Sequence, residues 1–212
     1  MYQPPHFRED RLEVQHALIR AHPLGLLVTN GSTGLIANPI PFVLDEAASP
    51  LGTLQAHLSR ANPQWRDFDP EQEALVVFQG TETYITPSWY EAKREHGKVV
   101  PTWNYAIVQA YGRMRVMDDA QWLQQQITAM TSAQEALLPE PWAVSDAPAD
   151  FLAAQVKGIV GVEIEITRIE GKWKVSQNRS EADRRGVAEG LRALKSEDAR
   201  RMADLVDSRG AG

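Results

Sequence analysis

Hydrophobic and polar positions alternate along the chain in short blocks, and the period of each block predicts its secondary structure. Apolar residues recur at helical spacing over residues 10–21, which predicts a first helix. Residues 24–30 and 35–44 are extended apolar stretches on either side of a glycine- and asparagine-rich turn, which predicts a β-hairpin. Pro39 and Pro41 lack the donor that a central strand needs, so the second arm of the hairpin should lie at a sheet edge or a bulge.

Strand patterns outnumber helix patterns through the middle of the chain, and short turns join them. Extended patterns cover residues 52–58, 74–78, 81–85 and 102–116, of which 74–78 and 81–85 are either two strands or one bent strand. A nearly strict alternation runs from Ile159 to Ile169 before a turn at Gly171 and Lys172. Helical patterns open at Asn62, at Asp118 with Asp119, at Ala149, and again in the tail beyond Ser180. Short connections between many strands favour an antiparallel α+β sheet or barrel over βαβ units.

Composition narrows the class of protein. At 212 residues the chain fits one domain with a helical appendage. The 22 basic residues are outnumbered by 28 acidic ones, so a net charge of −6 gives no global attraction to nucleic acid or to an anionic membrane. Cysteine is absent, which excludes disulfides and thiolate chemistry. No signal peptide pattern or apolar run of about 18 residues is visible, and we expect a cytoplasmic protein without a membrane partner.

The stretch from Tyr84 to Gly112 is rich in aromatic residues that also carry polar groups. Each side chain from Thr102 to Tyr105 can donate a hydrogen bond, and two of them offer a broad apolar face. A strand buried in a core would not need so many polar groups, because each one left unpaired costs about 1–3 kcal/mol. The stretch therefore predicts either a site for a flat ligand with polar edges or aromatic packing against a neighbouring subunit.

Ser59 and Arg60 follow the third predicted strand, just before the helix start at Asn62. Free amides at a helix N-terminus favour an anion, and arginine adds bidentate charge-assisted hydrogen bonds. This arrangement suits a phosphate monoester. An arginine that only faces solvent at a strand end is the alternative.

A second polar group, Gln177 to Arg179, ends the last predicted strand and is preceded by Lys172 and Lys174. Such side chains can converge on the polar edge of a ligand or on another subunit. The residues alone favour a solvated strand end.

Other patterns give little support for catalysis or DNA binding. The tail beyond Ser180 is rich in arginine, but acidic residues balance it, which favours a solvated helix over a DNA-reading one. The histidines lack the spacing of a helical metal pair, and only His57 falls in a candidate site. Nucleophile-elbow, dinucleotide-binding and P-loop patterns are absent, so we predict no metal site and assign no catalytic residue.

Ordered motif blocks over about the first 180 residues resemble the PaiB-like family of FMN-binding negative transcriptional regulators. The blocks are Met1-Tyr2-x-Pro4-x-x-Phe7, Ile36-Ala37-Asn38-Pro39-Ile40-Pro41-Phe42, His57-x-Ser59-Arg60-Ala61-Asn62-Pro63-Gln64-Trp65, Tyr84-Ile85-x-Pro87-Ser88-Trp89-Tyr90, Val100-Pro101-Thr102-Trp103-Asn104-Tyr105, Lys157-Gly158-Ile159-Val160-Gly161 and Ser176-Gln177-Asn178-Arg179.

This resemblance implies a fold and an assembly. The expected fold is α+β and mainly β, an antiparallel split β-barrel of the FMN-binding and pyridoxamine-phosphate-oxidase type with peripheral helices. Residues 1–180 would form the FMN-binding domain, and residues 181–212 a helical tail packed on it or extending it. The expected assembly is a homodimer with FMN at the subunit interface.

The resemblance also implies a set of cofactor-binding residues. Ser59 and Arg60 would hold the FMN phosphate. The bent strand from Ala37 to Pro41 would offer backbone groups to the edge of the isoalloxazine ring, and Ala37 and Asn38 are its members in the predicted set. The remaining members of the predicted set are His57, Thr102, Trp103, Asn104, Gln177 and Arg179.

Two functions follow from the resemblance. The first is an FMN-binding homodimer that represses transcription and senses flavin or redox state. It would act through a protein partner or a local DNA contact, for which the net negative charge gives only weak support. The alternative is a flavin-dependent oxidoreductase of the pyridoxamine-phosphate-oxidase or flavin-reductase type, in which the cofactor supplies the chemistry. A haem-binding barrel is disfavoured because no axial histidine can be placed.

Overall fold

The computed structural model describes residues 1–209 of the chain; residues 210–212 of the predicted tail lie outside the described residues. The helices are Leu12–Ala21 (α1), Glu91–Glu95 (α2), Ala120–Glu135 (α3), Ala149–Lys157 (α4), Glu181–Ala193 (α5) and Glu197–Ser208 (α6). The strands are Arg8–Glu9 (β1), Leu24–Gly31 (β2), Gly34–Pro41 (β3), Val43–Asp45 (β4), Thr53–Ser59 (β5), Glu73–Ile85 (β6), Thr102–Met117 (β7), Ile159–Glu165 (β8) and Arg168–Lys174 (β9).

The strands of the described chain form an antiparallel sheet. Hydrogen bonds join them in the order β3-β2-β6-β7-β8-β5-β4, and β9 pairs with β7 and β1. Sequence neighbours β2 and β3 pair along their whole lengths, and β5 pairs with β8 over seven residues. The molecule is therefore a mixed α+β protein built on a large antiparallel sheet.

Residue packing divides the described chain into two compact units. The first contains Met1–Gln15, Gln79–Val108 and the described residues from Glu170 onward; the second contains His16–Phe78 and Gln109–Ile169. The tail helices α5 and α6 belong to the first unit. The predicted division into 1–180 and 181–212 is not decided by this packing and stays a prediction.

Within the first unit, the tail helices bury an apolar stripe against the turn that follows β6. Their buried residues, among them Leu191 and Met202, share one cluster with Ile85 and Tyr90. Ser180 and Ser196 cap the two helices, since each side chain accepts a backbone N–H of the first turn. The charged tail is thus amphipathic, and its apolar face completes the core of this unit.

Two glycines of α5, Gly186 and Gly190, pack directly against Trp89 in the first unit. A Cβ added at Gly190 would lie 2.4–2.5 Å from atoms of the Trp89 indole, and one added at Gly186 would lie 2.1 Å from the Trp89 carbonyl oxygen. Residues four apart lie on the same helix face. Both positions therefore require glycine for this close approach.

A buried carboxylate ties the two ends of the first unit together. Glu9 in β1 is 4% exposed and accepts hydrogen bonds from Arg11 (2.7 and 2.9 Å) and from Arg209 (2.5 Å). Burial raises the pKa of Glu9, but the hydrogen bonds from Arg11 and Arg209 outweigh burial and lower this pKa to about 2. The guanidinium of Arg209 also lies 4.7 Å from the centre of the Trp173 ring. The end of α6 is therefore fixed to β1.

Several boundaries differ from the sequence-based expectations. The helix expected at Asn62 is a single 3₁₀ turn, Pro63–Trp65. The two apolar stretches at 74–78 and 81–85 form one strand, β6, which is one of the two alternatives that the sequence left open. The strand predicted over 159–169 ends at Glu165, and Gly171 lies inside β9 instead of in a turn. The alternation misleads here because Ile166 is buried beyond the strand end, where its N–H donates to the Gly52 carbonyl.

Candidate functional site

Strand β3 lies at the end of the strand order, as its prolines predict. Antiparallel partners alternate between hydrogen-bonded and non-bonded pairs, and the bond from Phe42 N to Pro23 O (2.8 Å) fixes the phase of this alternation. By that phase, the backbone of Ala37, Pro39 and Pro41 points away from β2. The prolines therefore remove only outward N–H groups, and Ala37 keeps an outward donor and an outward acceptor.

A buried glutamine holds the β2–β3 hairpin from one side. The Gln64 side chain, 0% exposed, donates to the Leu27 carbonyl (3.2 Å), the Thr29 hydroxyl (3.1 Å) and the Ile36 carbonyl (3.3 Å). Its amide oxygen accepts from Asn38 Nδ2 at 2.9 Å. The Asn38 side chain is thus oriented by Gln64. The predicted set omitted Gln64, although the Asn-Pro-Gln-Trp motif contains it.

The face of the hairpin that carries Leu24, Leu26 and Leu35 is apolar and exposed. These side chains are 63%, 41% and 78% exposed. Directly opposite pairs project to the same face, so Pro39 and Pro41, the partners of Leu26 and Leu24, lie on this face too. We call these five residues the hairpin face.

Arg60 is paired inside the second unit. Its guanidinium donates to the Asp118 carboxylate (2.6 and 3.1 Å), to the Ile159 carbonyl (2.8 Å) and to the Lys157 carbonyl (3.2 Å). The hydrogen bonds from Arg60 lower the pKa of the Asp118 carboxyl. The Ser59 hydroxyl, beside it, accepts the Ala61 N–H at 3.3 Å. A phosphate at Arg60 would have to replace Asp118, a partner that no motif indicated.

His57 lies beneath α3. Its Nδ1 and Gln126 Oε1 share a hydrogen bond at 2.8 Å. Gly161, opposite His57 on β8, leaves room for the Trp122 indole, since an added Cβ would meet the ring at 2.3 Å. The structure therefore gives His57 a hydrogen-bond partner from α3.

In the first unit, Thr102, Trp103 and Asn104 open β7. The Thr102 hydroxyl accepts from Lys174 Nζ at 2.5 Å, and the Trp103 carbonyl accepts from the same ammonium. The Trp103 ring is 52% exposed and meets Tyr84 edge to face at 6.0 Å. Asn104 is buried; its Nδ2 donates to the Ser176 hydroxyl at 2.9 Å, and its Oδ1 has no hydrogen-bond partner among residues 1–209.

Gln177 and Arg179 follow β9 in the first unit. Gln177 closes the turn, because its Oε1 accepts from Val175 N (2.8 Å) and its Nε2 donates to the Trp173 carbonyl (2.5 Å). The turn places Ser176 at φ 69°, a left-handed conformation that non-glycine residues rarely adopt. Arg179 lies 4.8 Å from the centre of the Tyr90 ring. Gln177 thus shapes the backbone, while Arg179 forms no ion pair with any side chain of residues 1–209.

The predicted residues fall into two groups. Ala37, Asn38, His57, Ser59 and Arg60 lie in the second unit, and Thr102, Trp103, Asn104, Gln177 and Arg179 lie in the first. Over the described part of the chain, no three His, Asp or Glu side chains are placed to hold a metal ion. None of the described helices is long and apolar enough to cross a membrane.

Comparison with known proteins places these residues in a family. A family model described as "Putative FMN-binding domain" matches residues 1–168. An uncharacterized protein of Emericella nidulans is 35% identical, with 99% of this chain and 98% of that protein aligned. The protease synthase and sporulation protein PAI 2 of Bacillus subtilis is 32% identical, again over 99% and 98%.

Solved structures share the fold at low identity. A conserved hypothetical protein from Mycobacterium tuberculosis superimposes with a TM-score of 0.59 at 10% identity, covering 85% of this chain and 94% of that chain. The flavocytochrome Anf3 from Azotobacter vinelandii gives a TM-score of 0.54 at 12% identity, over 79% of this chain and 69% of that one. The predicted fold class, an α+β antiparallel split barrel, is confirmed.

Proposed function

Because the chain belongs to the family described as "Putative FMN-binding domain", we propose that it is an FMN-binding homodimer with a regulatory role, similar to the PaiB-like negative regulators. Full-length similarity to PAI 2, a protein named for protease synthesis and sporulation, supports the regulatory part. The segment that the family model matches includes every predicted cofactor residue except Gln177 and Arg179.

The outer edge of β3 is the observation that carries FMN binding. A flavin ring is flat and has donors and acceptors along one edge. Ala37 is exposed and offers both an outward N–H and an outward carbonyl, whereas the prolines beyond it prevent another strand from pairing there. The edge therefore suits a ligand with a polar rim better than it suits an added strand. When bound, FMN supplies electron-transfer chemistry that side chains lack.

The hairpin face supports the homodimer. Isolated exposed leucines are ordinary, but contiguous apolar surface on a sheet marks an interaction site. Leu24, Leu26 and Leu35 lie on the same face, beside two prolines. A second copy of this chain is the occupant that the family resemblance implies.

Charge favours regulation through a protein partner over direct DNA binding by the tail. Arg192 pairs with Asp204 and Asp207, and Arg201 pairs with Glu197. These guanidiniums are already neutralised on the protein. With a net charge of −6, the chain has little excess positive potential for a phosphate backbone.

Absorption spectroscopy tests the proposal. The purified protein is titrated with FMN and with riboflavin, and light scattering measures the oligomer in parallel. We expect flavin bound at micromolar concentrations to a dimer, without turnover when a reduced nicotinamide is added. Bleaching with turnover would replace the regulatory role by the oxidoreductase alternative. Failure to retain either flavin after reconstitution would overturn FMN binding itself.

A gel-shift assay at physiological salt tests the regulatory route. We expect no specific DNA retention by the protein alone. A sequence-specific shift at that salt concentration would show direct DNA contact, whereas a shift seen only at low salt is nonspecific.

A further inference from the structure

Three cationic side chains of the first unit lie close together, and the described part of the chain offers them no acidic partner. Lys172 and Lys174 are two residues apart on β9 and project to the same face. Their ammonium groups lie 5.4 and 6.0 Å from the centre of the Tyr105 ring. Arg179 follows the next turn, over Tyr90. Among residues 1–209, none of the three cations forms an ion pair.

Burial makes this arrangement unfavourable unless an anion is present. Lys172 is only 9% exposed, and a buried charge without a partner is costly. Burial, and then the neighbouring charges of Lys172 and Arg179, lower the pKa of the Lys174 ammonium. Contacts with aromatic rings stabilise the cations, but they leave the positive charge in place. The cluster therefore lacks a counter-charge.

The arrangement leaves donors free. Lys174 donates two of its three N–H groups to the Thr102 hydroxyl and the Trp103 carbonyl, so one N–H donor is available. The Ser176 hydroxyl accepts from Asn104 and keeps its own proton for donation. Ser176 also holds a left-handed backbone conformation, and such strain in a residue other than glycine is common at ligand sites.

Arg60 provides the contrast within the same chain. Its guanidinium is matched by Asp118 and by two carbonyls, so its charge is already satisfied. The unpaired positive charge that an anion needs lies at Lys172, Lys174 and Arg179 instead.

We propose that Lys172, Lys174 and Arg179 form a binding site for a phosphoryl group. A phosphate dianion supplies the missing negative charge and enough acceptor oxygens for the free donors. The three residues follow the segment matched by the family model, which ends at residue 168. The phosphoryl group can belong to FMN, in which case the inference rests on the proposed function, or to a separate phosphorylated molecule.

Titration calorimetry with inorganic phosphate tests the site on the full chain at low ionic strength. The variants are Lys174→Met, which keeps the length of the side chain without its charge, and Arg179→Gln. Lys98→Met is the matched control, since Lys98 is an exposed lysine of the same unit. Loss of one charge-assisted contact should weaken phosphate binding by about 10-fold to 100-fold in Lys174→Met and Arg179→Gln. The control should bind phosphate as the wild-type protein does.

Competition identifies the source of the phosphoryl group. If FMN displaces inorganic phosphate and riboflavin does not, the site holds the FMN phosphate. If FMN binds without displacing phosphate, the site takes a separate phosphorylated ligand.

The inference is overturned if the wild-type protein binds no phosphate, or if Arg60→Met abolishes binding while Lys174→Met and Arg179→Gln match the control. Riboflavin binding is measured separately in each variant. If riboflavin still binds when phosphate does not, the phosphate site is wrong and the proposed function stands. If riboflavin does not bind, the result counts against flavin binding and not against the phosphate site.

Discussion

Replacing Gly190 by alanine should destabilise the protein, even though alanine is the better helix former. The new methyl group would lie 2.4–2.5 Å from Cγ, Cδ2 and Cε2 of Trp89, more than 1 Å inside ordinary contact. Overpacking of this kind costs about 1–3 kcal/mol, whereas the gain in helix propensity is about 0.8–1 kcal/mol. The net change in the free energy of unfolding is therefore a loss of about 1 kcal/mol.

The sign of this effect should reverse when the indole is absent. In a Trp89→Ala background, Gly190→Ala meets no ring, so only the propensity term of about 1 kcal/mol is left and the substitution stabilises. Gly186→Ala is the matched control. Its methyl group would lie 2.1 Å from the Trp89 backbone oxygen, which Trp89→Ala retains, so it should destabilise in both backgrounds.

Urea unfolding followed by circular dichroism measures the cycle, at one fixed protein concentration because dimerisation would make stability concentration-dependent. The expected coupling energy between positions 89 and 190 is about 1–3 kcal/mol. If Gly190→Ala changes the free energy of unfolding in the same direction in both backgrounds, close packing of Trp89 on Gly190 does not hold the indole in place.

Three further predictions concern other parts of the fold. The pKa of Glu9 is lowered from 4.5 to about 2, so its ionised carboxylate adds up to about 3 kcal/mol to the free energy of unfolding above pH 4.5, and this is lost as the pH falls toward 2. Glu9→Gln should therefore flatten the acid side of a plot of unfolding free energy against pH, and an unchanged acid side would contradict this. Leu26→Glu on the hairpin face should dissociate the proposed dimer in light scattering, whereas Leu194→Glu, which alters a comparably exposed leucine outside that face, should not; equal behaviour of the two would place the interface elsewhere. Gly161→Ala places a methyl group 2.3 Å from the Trp122 ring and should lower the stability by about 1–3 kcal/mol, which a lower thermal midpoint would show. A neutral result would mean that α3 is free to shift.

The pattern of hydrophobic and polar residues predicted strands and helices well where a whole segment follows a single strand or helix period. Along β7, side chains alternate between buried and more exposed positions, as the alternation of residues indicates, and Asp119 caps α3 by accepting the Trp122 N–H at 2.7 Å. Period alone failed at Ile166, because its burial beyond the end of β8 continues the alternation of the strand. Period alone also does not decide between two strands and one bent strand over residues 74–85, because a short interruption of hydrophobicity does not show whether the sheet partner continues.

Side-chain partners from distant strands could not be predicted from sequence. Arg60 carries the signal of a phosphate ligand in its motif, but its pairing with Asp118 depends on which strands meet. Gln177 carries the same kind of polar signal and instead closes a turn with its own backbone neighbours. The sequence showed the lysines of β9 only as part of a polar group, because the absence of an acidic partner among the described residues is a property of the folded chain.

The contact between Glu9 and Arg209 also sets an order of events during synthesis. The two residues are 200 positions apart, so at a synthesis rate of roughly 5–20 residues per second the carboxylate waits about 10–40 s for this partner. Every segment of the second unit has been synthesised by Ile169, whereas the first unit gathers residues from the beginning, the middle and the end of the chain. The nascent chain can therefore complete one core while the other still lacks the two helices that cover it, and a premature stop before α6 would release a protein with one finished half.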